Sequence, residues 1–489
     1  MTQSVLIIGA GPVGLTLAIE LARYGIPVRI VEKAAQRTDK SKALVLWSRT
    51  LELLDRQPGG SAPFIEAGFK VDAVSFLTGD KVVGRVSMDS VASPFPYALM
   101  LPQSDTERLL EERLEDLGVK VEREVEMTSV NPRGDGVAAV LRRKDGSEET
   151  ASADWLVGCD GAHSVVRHSV GAPFVGETMD ADWMLADVHM RGYPLPDTEA
   201  SVYWHKDGAF IIFPISPGRY RLLADLAPFG EAHPSAPTLD QVQAMIDRRG
   251  PAGTTAFDPV WLTGFRINGR KVSSYRWGRA FLCGDAAHVH SPAGGQGMNT
   301  GMQDAFNLAW KLAAVANGQC REALLDSYSV ERSYVGDQVL ADAQRLTVVG
   351  TMRNPVAQAI RNTVGHLMLG LAPIQEAFAN KMTEVWVGYP ESPLNAGSAK
   401  GLHGPGPGQR LVADRPFGAD SKPRFALLAR DGDDVRTMLQ RHAGLVEASP
   451  RTPPDEDGIW LVRPDGYVAV VARAGDLSSI EDGLARATA

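Results

Sequence analysis

Cysteine is scarce in this 489-residue chain: Cys159, Cys283 and Cys320 are the only three, and no two stand as C-x-x-C. That excludes a disulfide framework and a cysteine-built zinc site, and it fits a reducing cytoplasm. A basic excess is missing too. With 50 Lys and Arg against 59 Asp and Glu, the formal charge of -9 gives no electrostatic reason to expect nucleic acid or an anionic membrane as partner. No window supplies the roughly 18 uncharged apolar residues that span a bilayer. The first residues lack the basic segment and cleavage site of a signal peptide. Repeats and low-complexity tracts are likewise absent. What remains, 44% hydrophobic and 22% charged residues, is the composition of a folded protein of two or three domains that acts on small molecules.

Two stretches carry chemistry. At the start, the apolar residues 5–8 run into Gly9-Ala10-Gly11-Pro12-Val13-Gly14, residues 15–24 have helical spacing, and a second apolar run over 28–31 closes on Glu32. This is G-x-G-x-x-G in its full strand, turn, helix, strand setting, with an acid about 20 residues on. Gly9 permits the turn, Gly11 lets the main chain approach a pyrophosphate, and Gly14 lets helix and strand pack. Glu32 can accept from ribose hydroxyls. The fingerprint alone does not separate FAD from NAD.

The second stretch, residues 280–299, reads AFLCGDAAHVHSPAGGQGMN. A strand ends at Cys283, Gly284-Asp285 delivers a carboxylate, and the glycine-rich loop after Pro292 offers N–H groups before a helix that starts near Asn299. One large, flat, oxygen-rich ligand can satisfy both stretches. A third strand, 155–158, ends in Cys159-Asp160-Gly161, and open α/β sheets bind ligands at such carboxyl ends. His288 and His290 lack a third residue spaced for a metal, so no metal site is expected.

Between these stretches, Ser41-Lys42-Ala43 leads into a helix over 48–54, and Pro102-Gln103-Ser104 opens another with a capping box from Ser104 and Glu107. Gln103 there presents an amide with both donor and acceptor to a planar ligand. Residues 119–130 and 137–141 read as strands. Over 183–190, 201–205, 210–215 and 220–224 the pattern becomes that of an antiparallel sheet, a candidate wall for a second pocket. Trp204, His205, Phe210 and Phe213 are candidates to line it, joined by Trp47 and Pro292. Residues 301–388 are largely helical, 389–409 form a Pro- and Gly-rich crossing segment, and the last eighty make a small α/β unit.

The residues from Gly9 to Gly14, Cys159-Asp160-Gly161, and Gly284-Asp285 with 292–299 together resemble the class A FAD-dependent aromatic hydroxylases, single-component flavoprotein monooxygenases related to para-hydroxybenzoate hydroxylase. The likeness is nearest to the branch of phenol and polyketide hydroxylases and runs over most of the chain, including Leu461-Val462-Arg463-Pro464-Asp465-Gly466-Tyr467-Val468-Ala469. It implies an α/β fold: a Rossmann-like FAD-binding domain over 1–180 and 266–390, an inserted antiparallel-sheet substrate domain over 181–265, and a small thioredoxin-like domain over 391–489 without C-x-x-C.

The cofactor set expected from motifs and resemblance is Gly9, Gly11, Pro12, Val13, Gly14, Glu32, Lys33, Lys42, Gln103, Val125, Asp160, Gly284, Asp285, Pro292, Gly295, Gln296, Gly297, Met298 and Asn299. Asp285 falls where the family holds the ribityl chain, and Asp160 with His163 where the nicotinamide donor is met. N–H groups at the helix start around 297–299 would stabilise negative charge on a reduced flavin. Where relatives carry arginine after the first βαβ unit, this chain has Lys42, which keeps the charge and loses the planar fork. No second dinucleotide fingerprint exists, so NADPH or NADH is expected to bind transiently.

The implied activity is NAD(P)H- and O2-dependent hydroxylation of an aromatic or polyketide-like small molecule through a flavin C4a-hydroperoxide, by a cytoplasmic monomer or homodimer. An epoxidase or Baeyer-Villiger oxygenase on the same scaffold, or a non-catalytic flavin-binding protein, are the alternatives. No residue stands out as a catalytic base.

Overall fold

A computed structural model describes residues 3–132, 134, 136–226 and 234–488. Its first layer is a six-stranded sheet in the order Arg276–Trp277, Ala280–Leu282, Trp155–Gly158, Val5–Ile8, Val28–Glu32, Glu122–Arg123. All pairings are parallel except the outermost one, Arg276–Trp277 against Ala280–Leu282. The central strand Val5–Ile8 is buried throughout, which is why it carries no polar alternation. In register, Ile8 lies beside Gly158 and Gly158 beside Leu282. The turns that follow these three strands therefore leave the sheet side by side.

Helices Pro12–Arg23 and Gly297–Ala316 cover this sheet. Gly301 allows the second helix to lie close, since a Cβ there would sit 2.8 Å from the Val13 side chain and 3.0 Å from Gly284 Cα. The helix expected to start near Asn299 begins two residues earlier, at Gly297. The helix Gln103–Asp116 has Pro102 as its N-cap and no side-chain cap, so the Ser104–Glu107 capping box is a correction. Glu107 instead accepts from Gln103 Nε2 at 2.8 Å. The strand expected over 119–130 is broken at Glu124, whose φ of 57° divides Glu122–Arg123 from Val125–Pro132.

The second layer is an eight-stranded sheet, ordered His288–Val289, Thr255–Val272, Phe174–Arg191, Arg219–Asp225, Gly208–Ser216, Glu199–His205, Ala73–Thr78, Lys81–Ser87. Its two 18-residue strands, Phe174–Arg191 and Thr255–Val272, run past the bounds the sequence pattern indicates. The hairpin Ala73–Thr78 and Lys81–Ser87 joins from far upstream through a parallel pairing of Ala73–Leu77 with Glu199–Tyr203. One face packs Met184, Ala186, Phe210, Ile212 and Leu222 with Val242 and Ile246 of helix Leu239–Arg249. The other packs Val74, Phe76, Trp204 and Ile215 with Leu369 and Ala379 of helices Pro355–Leu369 and Ala372–Met382.

The last unit is a four-stranded mixed sheet, Ala396–Gly397, Val468–Arg473, Gly458–Val462, Ala426–Leu428, with helices Asp433–Arg441 and Leu477–Thr488. It docks through charge. Arg463, with no solvent exposure, donates to both carboxylate oxygens of Glu331 at 2.7 and 2.9 Å and to Asp465 Oδ1 at 2.9 Å. Lys311 Nζ donates to the same Glu331 at 2.7 Å, and Trp310 Nε1 to Asp465 Oδ2 at 3.1 Å. Burial works to raise the Glu331 pKa, but Arg463 and Lys311 outweigh it and hold the carboxyl ionised well below its usual range. Burial lowers Lys311 to about 8 against the pull of Glu331.

Because such a charge set is stable only when complete, Arg463→Ala is expected to cost about 3–5 kcal/mol, seen as a fall in the urea midpoint. A loss below about 1 kcal/mol would show that the network does not hold the last unit in place.

Candidate active site

Gly9 takes φ +99°, and a Cβ there would lie 2.4 Å from the Cys159 carbonyl oxygen. At Gly14 it would lie 2.0 Å from the Gly9 carbonyl oxygen. These two glycines are thus required by neighbouring main chain. Gly11 differs: nothing lies within 4 Å of its added Cβ, so its open side faces space rather than protein. Gly11 is also the N-cap of helix Pro12–Arg23 and makes no side-chain cap, which leaves that N-terminus with free donors for an anion. Glu32 accepts from Ala10 N and Ala34 N, each at 2.9 Å, and so ties the turn to the second strand. Lys33 is exposed beside it.

At the second strand end, Asp160 Oδ2 accepts from Val165 N at 2.7 Å and Val166 N at 3.2 Å and caps helix Val165–Ser169. Its Oδ1 is buried and has no hydrogen-bond partner. Burial raises the Asp160 pKa, against the hydrogen bonds from Ser164 and the main chain. His163 is exposed on the same turn. At the third strand end, Asp285 is exposed, with protein packed around it. Desolvation by that surrounding chain raises its pKa, while His288 and Lys42 pull it down.

The Gly284-Asp285 turn is itself anchored: Asp304 Oδ2 accepts from Gly284 N at 3.0 Å and bonds His288 Nε2 at 2.8 Å. Asp304 Oδ1 accepts from Arg332 Nε at 2.6 Å. His288 is therefore a support for this turn. Among the described residues no group of three or more His, Cys, Asp or Glu could hold a metal.

The side chain of Asn299 serves the loop itself. Its side chain is fully buried, with Oδ1 accepting from Trp47 N at 2.9 Å and Nδ2 donating to Val45 O at 2.8 Å and Gly295 O at 3.1 Å. It clasps the 292–297 loop to the 45–47 segment, reinforced by Trp47 Nε1 to Gly294 O at 3.0 Å, and its amide is not free for a ligand. Gln296 commits its side chain likewise, Nε2 donating to Lys381 O at 2.8 Å. Gln103 Oε1 accepts from Ala43 N at 3.3 Å while Nε2 serves Glu107, so its amide shapes the 41–43 loop. Val125 is a side chain of the core, and Met298 packs on that core; only the main chain of Val125 is left for a ligand. Pro292 is half-buried at the loop's start.

Lys42 is exposed, and its loop is gripped from the eight-stranded sheet. Arg221 donates to Lys42 O at 2.8 Å and Ser41 O at 2.5 Å, and Asp187 holds Arg221 at 2.7 Å in a buried pair. Sequence reading missed both residues. The signal was there: opposite charges, Asp187 and Arg221, sit at facing positions of two neighbouring strands.

Of the pocket candidates, Trp47, Trp204 and Phe213 converge on one apolar cluster with Val45, Phe76 and Phe378. Trp204 lies 5.3 Å from Phe76 and 4.9 Å from the Arg361 guanidinium. Phe210 and His205 do not join it. Alternation puts Phe210 on the opposite face, fully buried against the helix Leu239–Arg249 layer. His205, one residue from Trp204, turns outward to Asp207 at 3.4 Å.

Open space at Gly11 beside a helix N-terminus, an acid closing the second strand, a buried carboxylate oxygen without a partner and an open carboxylate on the adjoining turn fit FAD laid across the strand ends. Fold and site thus define a flavin-dependent oxidoreductase. The chain belongs to the class A FAD-dependent aromatic hydroxylases: the FAD binding domain family matches residues 2–343. It is 36% identical over 510 aligned residues to the 6-methylpretetramide 4-monooxygenase of Streptomyces rimosus, covering 95% of this chain and 90% of that one. It is 39% identical to a flavin-dependent monooxygenase of Mycobacteroides abscessus, over 97% and 98% of the two chains. The structure of the OxyS anhydrotetracycline hydroxylase from Streptomyces rimosus matches with a TM-score of 0.80 at 30% identity, over 100% of this chain and 98% of that one. FAD is the cofactor and NAD(P)H the usual reductant of this family. No helix among the described residues is long and apolar enough to cross a membrane.

The glycines separate binding from folding. Gly11→Ala should leave the apoprotein's melting temperature unchanged yet lower FAD affinity at least roughly tenfold, about 1.4 kcal/mol. Gly14→Ala should lower both. Equal FAD titration curves for Gly11→Ala and wild type would remove the pyrophosphate from that gap.

Proposed function

We propose that this enzyme hydroxylates a fused-ring, polyketide-like aromatic held between the flavin-edge loop and the eight-stranded sheet. The observation that carries the reading is the Asn299 clasp, which sets Trp47, and with it the apolar cluster of Val45, Phe76, Trp204 and Phe213, directly against the 292–297 loop. The relatives named for 6-methylpretetramide and anhydrotetracycline support a multi-ring substrate.

The Gly9–Gly14 turn would hold the pyrophosphate, Glu32 the adenosine ribose, Asp285 the ribityl chain, and main-chain N–H groups at the start of helix Gly297–Ala316 the flavin's electron-rich edge. Bound there, FAD supplies two-electron reduction by NAD(P)H and activation of O2 for transfer of one oxygen atom. The chain's own work is positional. Asp160 and His163 would meet the nicotinamide donor, Lys42 would add positive charge near Asp285, and the apolar cluster would exclude water and face the ring to be oxidised.

Residues 1–180 with 266–390 form the FAD-binding domain in this reading, 181–265 the substrate sheet to which the 73–87 hairpin adds, and 391–489 a thioredoxin-like domain. Three free cysteines favour a reducing cytoplasm, and the functional unit is a monomer or homodimer.

Anhydrotetracycline is expected to stimulate NADPH oxidation by the FAD-loaded enzyme at least roughly tenfold more than phenol does, about 1.4 kcal/mol in transition-state stabilisation, with a product heavier by one oxygen atom. Release of peroxide with no oxygenated product, or a preference for phenol, would sink the fused-ring reading.

A further inference from the structure

Glu384 lies outside every motif discussed above. It is 1% exposed and sits just beyond the C-terminus of helix Ala372–Met382, one wall of the apolar cluster. Its φ of +59° is in the left-handed region that favours glycine. A strained, non-glycine, buried acid persists only where its side chain is used. Thr300 Oγ1 donates to Glu384 Oε1 at 2.7 Å and Gln303 Nε2 donates to Oε2 at 2.6 Å.

Thr300, Gln303 and Gln296 recur at helical spacing on one face at the start of helix Gly297–Ala316. All three bond the same turn, Gln296 through Lys381 O. On its other side that turn receives Arg49 N at Thr383 O, at 3.2 Å. The flavin-edge segment is therefore held from two directions: by Asn299 to the Trp47 segment, and by Gln296, Thr300 and Gln303 to the turn at 381–384.

We infer that Glu384 is a positioning residue, and that it sets the separation between the wall of the substrate chamber and the helix start that borders the flavin. The inference rests on the chamber and flavin assignments proposed above. Charged groups face Glu384 from two helices: Arg332 of Asp326–Gly350, which favours the ionised form, and Asp304 of Gly297–Ala316, which opposes it. Burial is the largest influence, and it raises the carboxyl from 4.5 to about 8. In the neutral form the acid O–H can donate to Thr300 Oγ1 while the other oxygen still accepts from Gln303, so both anchors survive. On ionisation both hydrogen bonds become charge-assisted, but a desolvated charge appears between the two helices, and its burial penalty outweighs what those bonds return.

The sign follows from the raised pKa. Between pH 4.5 and about 8 the unfolded chain has lost this proton while the folded chain keeps it, so stability falls as pH rises through that window. Glu384→Gln cannot ionise and lacks that slope. Three measurements test the inference. In the apoprotein, the melting temperature of Glu384→Gln should pull ahead of wild type by several degrees between about pH 5 and pH 8; parallel curves would overturn it. In the FAD-loaded protein, the wild-type visible flavin spectrum should change with a midpoint near pH 8, and Glu384→Gln should lack the change; the same midpoint in both would also overturn it. Glu384→Gly removes the strain and the buried acid together. It should therefore melt no lower than wild type yet dissociate FAD at least several-fold more readily, whereas unchanged FAD affinity would make the residue merely structural and end the inference. If wild type bound no FAD at all, the flavin assignment would fail, and the apoprotein melting curves would still report on Glu384.

Discussion

At Gly9 a side chain would begin 2.4 Å from the carbonyl oxygen of Cys159, and at Gly14 it would begin 2.0 Å from the carbonyl oxygen of Gly9. Turns from strands about 150 positions apart in sequence meet there without side chains between them. Because Ile8, Gly158 and Leu282 end level in a parallel sheet, this contact brings the glycine turn, Asp160 and Asp285 to one edge. Main-chain donors at a helix N-terminus and two carboxylates then lie within the span of a single dinucleotide. A residue larger than glycine at either position would part the turns and separate those groups.

A second kind of contact links the layers, and it is made by buried ions. Arg221 with Asp187 carries the eight-stranded sheet onto the carbonyls of Ser41 and Lys42. Arg463 with Asp465 carries the last unit onto Glu331 and Lys311. Desolvating such charges costs several kcal/mol per ion, so each set tolerates only the arrangement in which every member is paired. Apolar faces would allow the layers to slide. These pairs define where one layer stops against the next, and so where the loop bearing Lys42 stands relative to Asp285, whose ionisation Lys42 favours.

The three strand ends were legible in sequence because each needs a local pattern: an apolar run for a buried strand, then glycine or aspartate where the chain must turn and present polar atoms. The inserted sheet was legible for the same reason, through alternation. Side-chain assignments fared unevenly. Asn299 and Gln296 spend their amides on Val45, Trp47 and Lys381, partners that no local pattern names. Phe210 was misassigned because alternation identifies two faces without saying which of them meets the other layer. The 73–87 hairpin entered the sheet by a parallel pairing with residues 199–203, a long-range choice with no sequence signature. Arg221 and Asp187 were visible as charges within strands, but only their pairing across the sheet explains them.

The sequence by itself determined the strand ends, the glycine geometry of the first turn, the class of ligand and the family, since all of these depend on residues close together in the chain. Tertiary structure alone decided which polar side chains remain free for a ligand, which face of the sheet borders the 292–297 loop, and which buried acids are paired. Those outcomes depend on which hydrogen-bond and ion-pair partners arrive from distant segments, and a buried polar group is assigned by the partner that satisfies it.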